Sequence, residues 1–341
     1  MKASFFRENG GPEKLVYGDL PDPVPGPGEV LIRVKACALN HLDIWVREGR
    51  GVPIPMPHVS GSDVAGEVAA VGPGVKGVKP GAPALVAPGL SCGTCVACRS
   101  GRDSECDAFK ILGFQVQGGY AELVAVPEAN VLPFPAGLSP EEAAAVPLVF
   151  LTAYHMLFTR AGLRAGETVL VQAAGSGVGS AAVQLARVAG ARVIVTAGDD
   201  AKLAKARELG ADEGINYRTA DFTAETLRLT GGRGADVVFE HVGGDNLVKS
   251  LAATAKGGRV VTCGATAGGQ VPLDLKSFYY RQVALFGSLM GARWELLEVL
   301  KLVERKQVRP VVDSVFPLAK AADAQQRMLD RKNMGKIVLK I

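Results

Sequence analysis

No run of apolar residues in this 341-residue chain reaches the length that crosses a membrane. The opening Met1-Lys2-Ala3-Ser4-Phe5-Phe6-Arg7-Glu8 lacks the apolar core of a secretory signal. Charge of one sign is concentrated nowhere. The net charge of +4 is mild and unclustered, which gives no case for a nucleic-acid face. The expectation is a soluble cytoplasmic protein with neither nucleic acid nor membrane as partner. Asn and Gln are sparse while Ala, Pro and Arg are plentiful, a balance compatible with a heat-adapted host. What is present is ample core material. At 48% hydrophobic and 21% charged residues the chain does not read as disordered, and its length suits about two domains. Its 42 glycines follow no fixed period, which excludes a fibrous protein.

The chain is organised around Val169–Gly190. Thr168–Val171 reads as a buried parallel strand, and the chain then breaks into small residues over Ala173–Gly179. From Val178 the apolar positions Val178, Ala182, Leu185, Ala186 and Ala189 take helical spacing. Strand, glycine turn and helix together make a phosphate site, because glycine lets backbone approach a pyrophosphate and the helix N-terminus offers free amides. The Gly-x-Gly-x-x-Gly match is imperfect. Ala174, Ser176 and Gly179 hold its three positions, with extra glycines at Gly175 and Gly177. The bland alternative is a tight turn that binds nothing.

Four cysteines, Cys92, Cys95, Cys98 and Cys106, crowd one polar loop. Disulfides are disfavoured in a cytoplasmic chain, and four thiolates at such gaps can close a tetrahedron around a structural zinc. An iron–sulfur cluster or a redox loop are the alternatives. Cys37 and Cys263 sit in apolar strands as core residues.

Residues 1–90 are rich in Val, Gly and Pro and read as short strands, with Glu29–Ala38 and Val59–Val68 among them. Asn40–Trp45 reads as a turn entering a short helix. Ser139-Pro140-Glu141-Glu142 is a helix start. Downstream the pattern alternates: strand Ala191–Ala197, helix Asp200–Leu209, strand Glu213–Tyr217, helix Phe222–Leu229, strand Ala235–Glu240, helix Asp245–Ala255, strand Gly258–Gly264 and strand Val283–Ser288. Repeated βα units predict an α/β fold with a doubly wound parallel sheet. The ending Gly335-Lys-Ile-Val-Leu-Lys reads as a strand that rejoins the N-terminal domain.

The N-terminal β domain, the four-cysteine loop, the Ala-Ala-Gly-Ser-Gly-Val-Gly turn and the C-terminal return strand together resemble the medium-chain dehydrogenase/reductase superfamily. That superfamily includes the zinc-containing alcohol dehydrogenases and the quinone oxidoreductases. Gly61-Ser-Asp-Val-Ala-Gly, Gly119-Tyr-Ala-Glu, Leu151-Thr-Ala-Tyr and Gly257-Gly-Arg-Val-Val carry the likeness further. It implies a GroES-like, partly open β-barrel domain over residues 1–149 and 292–341, with a zinc lobe at 91–107, and a Rossmann domain over 150–291. It also implies a homodimer or homotetramer, with the dimer joined through Phe286–Met290. Where the resembling alcohol dehydrogenases hold a catalytic zinc, this chain has Asn40, Ser62 and Leu148, none a strong zinc ligand. A different metal set from Cys37, His41, His58 and Asp63 is the alternative.

Hydride transfer leaves negative charge on a substrate oxygen. Without zinc, hydrogen-bond donors must stabilise it. This favours reduction of quinones or α,β-unsaturated carbonyls over alcohol oxidation. Alcohol oxidation on an atypical zinc site and a non-catalytic nucleotide-binding protein are the alternatives. Asn40, Asp43, Ser62 and Thr152 are the expected catalytic residues, though Asn40 could be a mere turn or cap residue. The expected cofactor contacts are His41, Thr152, Ala174, Gly175, Ser176, Gly177, Val178, Gly179, Ala197, Lys202, Tyr217, Arg218, His241, Gly264 and Ser288. His241 sits at a strand end, where ligands bind, and could equally be a satisfied structural histidine. An NAD site places an acid about twenty residues past the glycines. Here Ala197 takes that position, which favours NADP(H), although Asp199 and Asp200 either argue for NAD(H) or simply cap the following helix.

Overall fold

A computed structural model describes all 341 residues, Met1–Ile341. The chain divides into two compact units. One holds Met1–Leu148, Ala292–Glu304 and Pro310–Ile341, and the other Val149–Gly291 with Arg305–Arg309.

The first unit is built on Glu29–Ala38, whose burial alternates at first and becomes continuous toward Ala38. Inward residues Val30, Ile32 and Val34 join Cys37, Val64, Val68, Ile337 and Leu339 in one apolar core. The sheet runs in the order Val312–Pro317, Lys336–Lys340, Glu29–Ala38, Asp63–Val71, Pro83–Val86 and Val131–Leu132, with Leu123–Pro127 also paired to Glu29–Ala38. The predicted return strand is there: Val338, Leu339 and Lys340 lie antiparallel against Ala38, Cys37 and Ala36. The expected strand Val59–Val68 is shifted, to Asp63–Val71. Residues 59–62 form a loop instead, because their backbone is bonded to the 118–120 segment: the Gly118 amide donates to Val59 O and the Tyr120 amide to Ser60 O.

The second unit carries six parallel strands in the order Glu213–Asn216, Arg192–Ala197, Thr168–Val171, Ala235–Glu240, Thr254–Thr262 and Ala284–Gly287. This is the doubly wound order of a Rossmann sheet, with its switch point between Thr168–Val171 and Ala235–Glu240. Helices Gly177–Val188, Asp200–Glu208, Phe222–Leu229 and Asp245–Ala253 connect the strands. Leu170, Ile194, Val238 and Val260 form its centre. One strand differs from expectation: Thr254–Thr262 starts four residues early and stops before Gly264.

The helical stretch Pro140–Arg160 is long and apolar enough by length and composition to cross a membrane, against the expectation from uninterrupted apolar runs; 72% of its most apolar window is buried inside the protein. That is the setting of a core helix.

Candidate active site

Where Glu29–Ala38 ends, Asn40 takes the N-cap position of helix His41–Arg47, and Asp43 stands in that helix's first turn. The three-residue spacing folds Asp43 back, so that its Oδ2 accepts the Asn40 amide at 2.7 Å. The same oxygen accepts Tyr120 Oη–H at 2.9 Å, and Oδ1 accepts the Gly61 amide at 3.1 Å. Asp43 is fully buried. Desolvation outweighs these three donors and raises its carboxyl to about 6.

The Asn40 side chain faces a second carboxylate. Its Nδ2 donates to Asp63 Oδ2 at 2.9 Å. Lys336, the first residue of the return strand, donates from Nζ to Asn40 Oδ1 at 2.6 Å and to Asp63 Oδ2 at 2.8 Å. Asp63 Oδ1 accepts the Leu148 amide at 2.7 Å. Ser62 is wholly buried and donates its hydroxyl proton to Leu112 O at 2.7 Å. The three positions considered for a catalytic zinc therefore hold a committed carboxamide, a committed hydroxyl and a leucine.

The other metal set does not come together. His58 Nε2 faces Gly113 O at 3.1 Å, both oxygens of Asp63 are engaged, and His41 is exposed beside Trp45. Ligand atoms of three or more His, Cys, Asp or Glu residues converge only in the loop of Cys92, Cys95, Cys98 and Cys106, where all lie within 4.8 Å of one another. Two of the sulfur pairs stand 3.9 and 3.5 Å apart, close to the ~3.8 Å edge of a tetrahedron with zinc–sulfur bonds of about 2.3 Å, and far beyond a disulfide. Backbone amides of Cys95 and Cys98 point at Cys92 and Cys95 Sγ. This donor set fits a closed structural zinc site.

In the second unit, the glycine turn has the features a pyrophosphate needs. Ala173 sits at φ +46°, a strained value for a residue with a side chain. Ser176 caps helix Gly177–Val188 by accepting the Gly179 amide at 2.9 Å. A Cβ on Gly179 would come within 2.5 Å of Ala173 O, so only glycine allows the helix this close to the strand end. Gly175 is covered by the Lys202 side chain, while Gly177 and Val178 are partly open and Ala174 is buried. His241 Nε2 lies 3.0 Å from Gln172 O and 3.4 Å from Ser176 Oγ, which aligns its ring with the turn. Burial lowers its pKa and favours the neutral ring.

Ala197 ends strand Arg192–Ala197 as predicted. The next residue, Gly198, is packed closely by Tyr217 and Arg218: a Cβ there would meet Tyr217 Oη at 2.6 Å and Arg218 Nε at 3.4 Å. Asp199 is occupied as a helix cap, accepting the Lys202 amide at 2.8 Å, and Asp200 accepts Asn216 Nδ2 at 3.0 Å. Gly264 lies just past its strand against the His241 backbone. Ser288 anchors its amide to Thr262 O at 2.9 Å, yet its buried hydroxyl has no partner in the protein, as expected of a group that meets a ligand. Thr152 is buried in helix Pro147–Tyr154.

Two residues escaped the sequence reading. Glu240, fully buried, accepts the Val242 and Gly243 amides, Asn246 Nδ2 and Thr262 Oγ1, and so ties together the loops after two strands. Its signal was an acid ending an apolar strand. Lys336 was visible as a lysine opening Lys-Ile-Val-Leu, an expensive start for a buried strand.

A glycine turn at the switch point of a doubly wound sheet, joined in one chain to a β unit, defines a dinucleotide-dependent enzyme. Residues 26–136 match the alcohol dehydrogenase GroES-like domain, and residues 177–305 match the zinc-binding dehydrogenase family. An NAD-dependent alcohol dehydrogenase of Sulfolobus acidocaldarius is 34% identical over the full length of both chains. A quinone oxidoreductase of Rattus norvegicus is 33% identical over 99% of this chain and 97% of its own. A crystal structure of an NAD-dependent alcohol dehydrogenase covers both chains completely at 48% identity with a TM-score of 0.96. A crotonyl-CoA carboxylase/reductase in complex with NADP gives a TM-score of 0.93 at 26% identity, covering 100% of this chain and 95% of that one. The chain belongs to the medium-chain dehydrogenase/reductase superfamily, in its NAD(P)-dependent zinc-type alcohol dehydrogenase and quinone oxidoreductase family, and is an oxidoreductase.

Proposed function

We propose that this enzyme reduces quinones or α,β-unsaturated carbonyls by hydride transfer from NADPH, without a catalytic zinc. The observation that carries the reading is the ammonium of Lys336, buried against Asn40 and Asp63. A divalent ion beside it would meet like charge in a buried site, and burial pushes the neighbouring Cys37 thiol well above its usual pKa, so that it offers no ready thiolate.

NADPH, when bound, supplies the hydride. The protein must stabilise the negative charge left on the substrate oxygen. Asn40 spends one amide proton on Asp63 and has a second to donate. Asp43 holds the Asn40 and Gly61 backbone in place. Ser176, the turn amides and His241 orient the pyrophosphate, and Ser288 offers its hydroxyl to the cofactor. Tyr217 and Arg218 at Gly198, with Lys202 beside Gly175, suit a 2′-phosphate; Asp199 caps the helix and faces Lys202 Nζ at 3.9 Å, and Asp200 is bonded to Asn216. Cys92, Cys95, Cys98 and Cys106 would hold one structural zinc per chain. The free cysteines suit a cytoplasmic protein, and the edge strand Ala284–Gly287 suits assembly into a homodimer.

The test is turnover of 1,4-benzoquinone and 2-cyclohexenone with NADPH. Asn40→Ala is expected to lower kcat about 100-fold, the scale of losing one oxyanion donor, with cofactor affinity unchanged. Unchanged turnover in that variant overturns the role of Asn40. The second reading, alcohol oxidation with NAD, is favoured by the 48%-identical alcohol dehydrogenase. Faster ethanol or benzyl alcohol oxidation, with two zinc ions per chain, would establish it instead.

A further inference from the structure

Lys336 is 3% exposed and lies 296 residues along the chain from Asn40. Its Nζ, Asn40 Oδ1, Asn40 Nδ2 and Asp63 Oδ2 close a ring of three hydrogen bonds at 2.6, 2.9 and 2.8 Å. A carboxamide has nearly the same shape when its oxygen and nitrogen are exchanged, so packing alone holds it in one orientation poorly. This ring does so electrostatically. In the reverse orientation the NH2 group would face an ammonium, and the oxygen would face a carboxylate.

We propose that Lys336 is a positioning residue of the reductase: it fixes which end of the Asn40 carboxamide is presented to the substrate oxygen. The inference rests on Asn40 being the donor. Asp63 alone fixes only one end of the carboxamide, through Nδ2 at 2.9 Å. Lys336 Nζ supplies the donor at the other end, and its bond to Asp63 holds the two partners together. Without it Asn40 Oδ1 loses its charged donor, and one contact sets the orientation where two did.

The experiment is a double-variant cycle with NADPH and 2-cyclohexenone. Lys336→Met is expected to lower kcat 10-fold or more, with NADPH affinity measured by fluorescence within twofold of the parent. In an Asn40→Ala background the same change is expected to cost less than twofold, because the group it positions is gone. An equal loss in both backgrounds assigns Lys336 a purely structural role and overturns the inference. If Lys336→Met does not fold, Lys336→Gln replaces it in the cycle; it keeps a donor for Asn40 Oδ1 but no charge, and the same dependence on Asn40 is required. Undiminished kcat in Asn40→Ala alone overturns the donor reading, and this inference with it, before any Lys336 variant is made.

Discussion

At the scale of single residues, Asp43 gives the sharpest pH prediction. Its carboxyl is raised to about 6 by burial, above the ~3.9 of an unfolded chain. The folded state therefore binds this proton more tightly than the unfolded state. The contribution is full below about pH 4, is lost as pH rises through 6, and is flat above that. Two units correspond to roughly 3 kcal/mol. Urea unfolding of the parent and of Asp43→Asn at pH 4 to 7 isolates the group. The parent should lose about that much stability relative to the variant across the window, and parallel curves would contradict it. Asn40 and Asp43 were legible because their chemistry is local, a cap and its third residue. Lys336 was not, since its partner Asp63 lies 273 positions away and only pairing of the return strand with Glu29–Ala38 brings the two together.

At the scale of elements, what was readable was what closes within a few residues. The cysteine loop needs only its own spacing, and the glycine turn only the strand and helix on either side. Boundaries set by distant partners shifted, as at Asp63–Val71, whose start depends on the 118–120 segment. Two predictions belong here. Purified without chelator, the protein should carry about one zinc per chain. Cys98→Ser should lose it, because three thiolates hold zinc less tightly than four, and should open the 91–107 loop to limited proteolysis. Retention of a full zinc in that variant would place the metal elsewhere. The turn after Arg192–Ala197 decides the cofactor. Lys202→Ala should raise KM for NADPH about 10- to 100-fold, the range of one charge-assisted bond, and leave KM for NADH nearly unchanged. Equal effects on both cofactors would count against a 2′-phosphate contact.

At the scale of the whole molecule, the six-stranded sheet has two edges that the chain treats differently. Glu213–Asn216 carries a charged residue at its start, as edges that must stay unpaired usually do. Ala284–Gly287 reads Ala-Leu-Phe-Gly, with no charge, Leu285 38% exposed and Leu289 just beyond it 55% exposed. Arg160 donates to the Gly287 carbonyl at its end and lies over Phe286, but the strand itself carries no charge, so it is a template for another strand, and a second copy supplies an identical one. Closed two-fold pairing brings each edge against its own equivalent. A charge placed there meets its own image, so Leu285→Glu introduces both desolvation and like-charge repulsion at one contact. By sedimentation at about 10 μM, the parent is expected as a dimer and Leu285→Glu as a monomer with unaltered circular dichroism. A dimer that survives the substitution must be joined through another face. A parent that is already monomeric would mean that the uncharged edge stays unpaired in solution.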